Sequence, residues 1–140
     1  MSTTGYVVLF ADDEPWLTES LRLSLESRGY ECVSTTSASE ALDYLNSNRV
    51  DVVVTDIMMP AGDAFPEVDS SVAGFYFVRR VREHWPRLAV ICLSVIADVE
   101  RIDELKRQNV LYLRKGETPL STAMRLIESK ATGHISFDSQ

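Results

Sequence analysis

The chain has 140 residues, 45% of them apolar, so it has the size of one ordinary domain and can bury a core without disulfide or metal staples. Its 21 acidic and 14 basic residues give a net charge of −7, which disfavours direct binding of this segment to nucleic acid phosphates. The first apolar run breaks at Asp12 and no basic segment precedes it. We therefore expect neither a signal peptide nor a membrane span, and a cytoplasmic location.

Five short runs rich in branched aliphatic and aromatic residues have the length of β-strands. They cover residues 6–11, 31–35, 51–55, 88–93 and 110–113. The third and fourth runs carry apolar residues without polar alternation, which is typical of strands buried on both faces of a parallel sheet.

Apolar residues at helical spacing occupy the segments that follow each strand. These segments cover residues 14–28, 39–48, 74–84, 98–108 and 118–130. Pro15 suits the first turn of the first helix and Gly29 its end. Either Ser37 or Ser39 can cap the second helix.

The strict alternation predicts an α/β fold, a doubly wound five-stranded parallel sheet with helices on both faces. Periodicity does not give the strand order. In the flavodoxin-like order 2-1-3-4-5, a ligand would lie at the carboxyl ends of strands one and three, where the winding direction switches. Cys32 and Cys92 would then lie about 14 Å apart, too far for a disulfide.

Two stretches depart from the alternation. Residues 61–73 connect strand three to its helix, and we expect a solvated or partner-contacting loop, because the composition offers little to bury beyond Phe65 and two valines. Residues 131–140 show no periodicity. We interpret them as a tail or the start of a linker after a domain of residues 1–130.

Polar residues follow four of the strands and would meet at one edge of the sheet. They are Asp12 and Asp13 after the first strand, Asp56 after the third, Ser94 after the fourth and Lys115 after the fifth. Any one of them alone more often simply ends a strand. Together, the clustered carboxylates favour a hard divalent cation such as Mg²⁺. The lysine and the hydroxyl suit a phosphoryl group, and one carboxylate could be the nucleophile that forms an acyl phosphate.

These residues belong to an ordered set of motifs. The set consists of VLFADDEP at residues 8–15, DIMMP at residues 56–60, Ser94, and YLRK at residues 112–115. It resembles the receiver domains of bacterial response regulators in two-component signal transduction. The resemblance implies the flavodoxin-like strand order and a signalling phosphoacceptor, not an enzyme in the usual sense, that assists its own phosphoryl transfer and dephosphorylation.

The resemblance assigns Asp56 the role of phosphoacceptor. It implies that Asp13, Asp56 and the backbone carbonyl of Met58 bind Mg²⁺ directly, and that Asp12 reaches the metal largely through water. The positions matched by Met58 and Ile96 rim the approach of water to the phosphoryl group. Because both side chains are apolar, we expect a long-lived phosphorylated form.

Three further roles follow from the same resemblance. Lys115 resembles the phosphate-binding lysine, Ser94 the hydroxyl that moves toward the phosphoryl group, and Tyr112 the aromatic switch that turns inward with it. The implied phosphodonor is a histidine kinase or a phosphotransfer protein. Whether the output passes to a partner or through a homodimer stays open.

Four features depart from the family pattern: the long 61–73 connection, Val95 where a smaller residue is usual, Gly116 in place of a proline, and Ser94 in place of the more usual threonine. Without that proline we expect a trans peptide bond after Lys115. The departures keep open a receiver-like interaction module that is not phosphorylated. A haloacid-dehalogenase-like phosphatase is a third interpretation, but residues 12–14 lack its Asp-x-Asp pattern.

Overall fold

The computed structural model describes residues 3–14, 18–95 and 98–133, and within them five strands alternate with five helices. The strands are β1 (Val7–Ala11), β2 (Glu31–Thr35), β3 (Val52–Thr55), β4 (Ala89–Ser94) and β5 (Leu111–Arg114). The helices are α1 (Glu19–Ser27), α2 (Ala38–Ser47), α3 (Ala73–His84), α4 (Val99–Arg107) and α5 (Leu120–Thr132). The predicted alternation is confirmed.

All four strand pairings are parallel, and the strand order is β2-β1-β3-β4-β5. The flavodoxin-like order and the doubly wound fold are therefore confirmed. Parallel pairing brings the carboxyl ends of all five strands to one edge, and the winding direction changes between β1 and β3.

The sheet separates two apolar clusters because successive side chains of its central strands point to opposite faces. Leu9 and Val53 face the cluster built with α2, α3 and α4, whereas Val8 and Phe10 face the cluster built with α1 and α5. Every residue of β1 and β3 is buried, which explains their unbroken apolar sequence.

The first helix begins at Glu19, so the predicted start at residue 14 is wrong. The physical reason is a turn after β1, in which the Glu14 N–H donates to the Asp12 carboxylate at 2.9 Å and leaves the helical path. Pro15, which was predicted to occupy the first helical turn, lies outside the described residues.

Two of the predicted helix ends are confirmed. Gly29 has a left-handed backbone with φ +92° and follows Arg28, the residue that caps the end of α1. The Ser37 hydroxyl accepts the Glu40 N–H at 3.0 Å and caps α2. Of the two serines considered, Ser37 is the cap, and Ser39 bonds to the 61–73 connection instead.

Residues 61–73 are hereafter called the insertion. The three apolar residues named as its possible anchors pack against the domain, so the expectation of a solvated or partner-contacting loop is wrong for them. Phe65 is 6% exposed within the α2–α3–α4 cluster, and Val68 and Val72 pack against the same cluster. The Arg80 guanidinium lies over the Phe65 ring, 5.0 Å from its centroid. The insertion is therefore packed against the domain through one aromatic side chain and two valines.

Both cysteines are free, as predicted. Cys92 is buried in β4, whereas Cys32 on β2 is only half-buried. Helix α5 continues to Thr132, two residues beyond the predicted domain end, and residues 134–140 of the predicted tail lie outside the described part of the chain. Among the helices of the described residues, none has the length and apolar content needed to cross a bilayer.

Gly74 lies in the first turn of α3, where the helix approaches the end of β3 closely. Its N–H donates to the Ile57 carbonyl at 2.8 Å, and a Cβ at this position would lie 2.2 Å from the Asp56 carbonyl oxygen. Because that neighbour is backbone, Gly74→Ala is expected to lower the free energy of unfolding by about 2–3 kcal/mol, as overpacking does.

Urea unfolding of Gly74→Ala would measure this loss. Glu83→Ala, at an exposed site of the same helix, is the control and is expected to change stability by less than about 0.5 kcal/mol. Equal stability of the two variants would show that α3 can move away from β3 without cost.

Candidate functional site

Three charged side chains from different strand ends meet at the carboxyl edge of the sheet. Asp12 follows β1, Asp56 follows β3 and Lys115 follows β5. The Lys115 Nζ lies 2.7 Å from Asp12 Oδ2 and 2.8 Å from Asp56 Oδ2. All three side chains are at most 9% exposed, so the ammonium group is a buried bridge between two carboxylates.

The two oxygens of the Asp56 carboxylate have different partners. Oδ2 accepts from Lys115, whereas Oδ1 accepts the Ile57 N–H at 2.6 Å and, more weakly, the Met58 N–H at 3.4 Å. The Asp56 N–H donates to the Ala11 carbonyl at 2.9 Å. These bonds fix the carboxylate relative to the two central strands.

Burial and the hydrogen bonds of the bridge shift the pKa values of Asp12 and Lys115 in opposite directions. Burial raises the pKa of Asp12 above its ordinary value, and the hydrogen bond from Lys115 offsets only part of that rise. Burial alone would lower the pKa of Lys115, but the hydrogen bonds to Asp12 and Asp56 outweigh it and raise this pKa. The lysine is therefore held as an ammonium ion.

Asp13 and Met58 lie at the rim of the buried bridge, and both are exposed. Among the described residues, no group of three acidic, histidine or cysteine side chains is already gathered as a metal cluster. The donors near the bridge are nevertheless carboxylate and carbonyl oxygens, the ligand type that suits Mg²⁺. The exposed Asp13 carboxylate is open to an ion that approaches from solvent.

Ser94 and Tyr112 join the ends of β4 and β5 beside the bridge. Ser94 is completely buried, and its carbonyl accepts both the Lys115 N–H at 2.9 Å and the Tyr112 hydroxyl at 3.2 Å. Burial raises the pKa of the half-buried Tyr112. The backbone of Ser94 thus links the lysine-bearing strand end to the tyrosine.

Two of the departures from the family pattern can be located. Val95 is 57% exposed, so its branched side chain lies at the surface beside the site. The Lys115–Gly116 peptide bond is trans, as expected, and Gly116 has a left-handed backbone with φ +84°. Ile96, the second predicted rim residue, lies outside the described residues.

The structure brings together Asp12, Asp56 and Lys115 as the sequence predicted, with Ser94 and Tyr112 adjacent. Sequence reasoning missed the residues that hold the main chain around Asp56. The Gly74 N–H and the Ser70 carbonyl bind the residues that follow the aspartate. A glycine at the start of a predicted helix was the one available signal, since Ser70 acts through its backbone.

Comparisons with known proteins agree with this geometry. The family model described as "Response regulator receiver domain" matches residues 8–127. The chain is 45% identical over 109 residues to "Response regulator MprA" of Mycobacterium sp. (strain KMS), which covers 77% of this chain and 43% of that protein. It is 29% identical over 119 residues to "Response regulator GtcR" of Aneurinibacillus migulanus, covering 85% of this chain and 45% of that protein. The chain thus spans less than half the length of these curated relatives.

Solved structures show the same fold. A response regulator receiver protein from Pseudomonas putida superposes with a TM-score of 0.73 at 28% identity, covering 89% of this chain and 96% of that one. A CheY-like receiver domain protein from Methanospirillum hungatei JF-1 superposes with a TM-score of 0.76 at 17% identity, covering 91% and 94%. The strand order, the carboxylate–lysine bridge and the family match agree, and the chain belongs to the response regulator receiver domains of two-component systems.

Proposed function

We propose that this receiver domain accepts a phosphoryl group on Asp56 from a histidine kinase or a phosphotransfer protein. The observation that carries the proposal is the buried ammonium of Lys115, which bridges Asp56 and Asp12 at hydrogen-bond distance. A fixed positive charge beside a carboxylate nucleophile is what phosphoryl transfer requires, because its catalysis consists mostly of positioning and charge stabilisation.

In the proposed reaction, an oxygen of the Asp56 carboxylate forms a bond to phosphorus as the bond from phosphorus to the donor breaks. The product is an acyl phosphate, and the leaving group keeps the bonding electron pair. Lys115 stays within reach of the phosphoryl oxygens, and the buried Ser94 at the end of β4 would supply a hydroxyl donor. Tyr112 would respond to a shift of Ser94 through their shared hydrogen bond.

The oxygen donors around the bridge fit Mg²⁺. Asp13, Asp56 and the Met58 carbonyl would hold the ion, with Asp12 acting through water. When bound, the ion neutralises the negative charge that gathers on the carboxylates and the phosphoryl group. The exposed position of Asp13 beside the buried pair supports this assignment.

The proposal extends to partners and output. A receiver domain would meet its kinase or phosphotransfer protein in the cytoplasm. The net charge of −7 favours an output through a protein partner or a second copy over direct contact of this segment with nucleic acid. The non-phosphorylated interaction module is disfavoured, because Asp12, Asp56 and Lys115 lie together at hydrogen-bond distance with Asp13 exposed beside them. Phosphoryl transfer uses all four residues, whereas docking of a partner requires none of them.

Labelling of the wild type with a small-molecule phosphodonor tests the proposal. Incubation with acetyl phosphate and Mg²⁺ is expected to add one phosphoryl group to the intact mass, and chelation of Mg²⁺ should remove most of the labelling. Asp13→Ala should resemble the chelated wild type in rate. Full labelling of the chelated wild type would show that no Mg²⁺ is required. Full labelling of Asp13→Ala alone would show that Asp13 does not hold the required ion.

The lifetime of the phosphorylated form provides a second test. Met58 is 47% exposed at the rim beside Asp56, where an apolar side chain cannot orient a water molecule for attack on phosphorus. The wild type is therefore expected to lose its label several-fold more slowly than a Met58→Asn, Ile96→Glu double variant. Met58→Leu, which keeps the rim apolar, is the control. Equal decay of wild type and double variant would show that apolar occlusion does not set the lifetime.

A further inference from the structure

The insertion returns to the phosphoacceptor loop, defined here as residues 56–61, and bonds to its main chain. The Met59 N–H donates to the Ser70 carbonyl at 3.0 Å. Met59 is itself buried, whereas the preceding Met58 is exposed. The returning end of the insertion therefore fixes the residue next to the carbonyl that is proposed to face Mg²⁺.

The other end of the phosphoacceptor loop bonds to the first turn of α2. The Ala38 N–H donates to the Pro60 carbonyl at 2.9 Å, and the Ser39 N–H donates to the Ala61 carbonyl at 2.9 Å. Since α2 packs its apolar face into the core, these bonds tie the loop to a rigid element.

Ser39 makes two additional bonds that only its hydroxyl supplies. Oγ donates to the Ala61 carbonyl at 3.0 Å and accepts the Ala64 N–H at 2.7 Å. The turn between them contains Gly62, with φ +85°, and a Cβ on Gly62 would lie 2.5 Å from the Ser39 side chain. One serine thus closes the entry turn of the insertion on α2.

Phe65 keeps the closed turn in place. Its ring is buried in the α2–α3–α4 cluster beneath the Arg80 guanidinium. The insertion is therefore held at three points: the Ser39 hydroxyl at its start, the Phe65 ring in its middle and the Ser70 carbonyl near its end.

We propose that the insertion is a positioning element for the phosphoacceptor loop and that Ser39 is a positioning residue for phosphoryl transfer to Asp56. The inference rests on the proposed function. The hydrogen bonds of the Ser39 hydroxyl go to the insertion and not to the residues proposed to hold the phosphoryl group or the metal. This hydroxyl fixes the carbonyl of Ala61 and the path of the insertion, whose Ser70 carbonyl in turn holds Met59 beside the metal-facing carbonyl. A misplacement of a metal-binding or reacting group, such as this carbonyl, by about 1 Å can slow a reaction on the order of 100-fold.

Three variants of the full chain test the proposal. Ser39→Ala removes both hydroxyl bonds, and Phe65→Leu shortens the apolar anchor without adding polarity. Ser37→Ala is the matched control, because it removes a hydroxyl bond from the same helix start that goes to Glu40 and not to the insertion. Each protein is measured for its melting temperature, Mg²⁺ affinity by calorimetric titration, labelling rate with acetyl phosphate across Mg²⁺ concentrations, and hydrogen exchange of the Met59 amide.

Ser39→Ala and Phe65→Leu are expected to weaken Mg²⁺ binding and slow labelling by about 10-fold or more. Removal of residues that orient the metal ligands has an effect of this size at other metal sites. The two variants should also speed exchange of the Met59 amide. Ser37→Ala should lower the melting temperature while keeping wild-type affinity, rate and exchange. If Ser39→Ala fails to fold, Phe65→Leu decides alone.

The proposal is overturned if Ser39→Ala or Phe65→Leu changes only the melting temperature, as Ser37→Ala is expected to do. Absence of labelling in the wild type would instead overturn the proposed function. In that case Mg²⁺ affinity and Met59 exchange still decide whether the insertion positions the loop.

Discussion

Asp56→Asn is expected to abolish the added phosphoryl mass completely, because an amide oxygen is too weak a nucleophile to form an acyl phosphate under these conditions. The substitution keeps an Oδ1 that accepts the Ile57 N–H, so the phosphoacceptor loop should keep its conformation. Lys115 keeps its bond to Asp12. The variant should therefore fold, and its loss of labelling reports the nucleophile itself.

Intact-mass measurement after incubation with acetyl phosphate and Mg²⁺ gives the result directly. Asp63→Asn, at an exposed site on the insertion, is the matched control and should label as the wild type does. Labelling of Asp56→Asn at the wild-type level would place the phosphoryl group on another residue and overturn the assignment.

Lys115→Met is expected to have the next largest effect, on both rate and stability. Loss of the ammonium removes the charge that would stabilise the transferring group, and labelling should slow by about 100-fold or more. At pH 7 the two buried carboxylates also lose their shared partner, which is expected to lower the free energy of unfolding by about 3 kcal/mol.

The sign of the pH dependence shows whether Lys115→Met is destabilised by its unpaired carboxylates or by a packing defect. Burial already raises the pKa of Asp12 above 3.8, and the Lys115 hydrogen bond that opposes the rise is absent from the variant. Between pH 3.8 and the raised pKa, Asp12 keeps its proton in the folded variant but has lost it in the unfolded chain. The free energy of unfolding of the variant therefore falls as the pH rises through this range. The deficit relative to wild type should shrink toward acid pH.

Urea unfolding of wild type and Lys115→Met between acid and neutral pH measures this trend. Lys106→Met, at an exposed site on α4, is the control and should differ from wild type by less than about 0.5 kcal/mol at every pH. A deficit that is constant with pH would mean that lost packing, and not the unpaired carboxylates, causes the instability.

The alternation of strands and helices, and the gathering of polar residues at one edge of the sheet, could be predicted because both depend on local patterns. The strand order came instead from the resemblance to receiver domains, since periodicity does not give it. Apolar runs without polar alternation indicated that β3 and β4 are buried on both faces of a parallel sheet. Polar residues directly after the strands had to meet at one edge once the strands were parallel. That geometry places Lys115 near Asp12 and Asp56, whereas the hydrogen-bonded bridge between them is seen only in the structure.

The sequence could not predict features that depend on competing or isolated interactions. The predicted start of α1 was wrong because the Asp12 side chain accepts a hydrogen bond from the Glu14 amide. The spacing of apolar residues gives no information about such a bond. The packing of the insertion was not predicted because Phe65 and the two valines of this segment follow neither a helical nor a strand period, so no period indicated their burial. The partners of Ser39 and Ser70 appear only after the insertion has folded onto α2 and α3.

The insertion contains buried positions at which substitutions are constrained and exposed positions at which they are tolerated. Ala61, Gly62 and Phe65 are constrained by the core and by the Ser39 contact. Asp63 and Glu67 are exposed, and substitutions at such positions usually change stability by less than about 0.5 kcal/mol. Recognition specificity could therefore diversify on the outer rim of this segment, a few residues from the phosphoacceptor, without altering the scaffold beneath it.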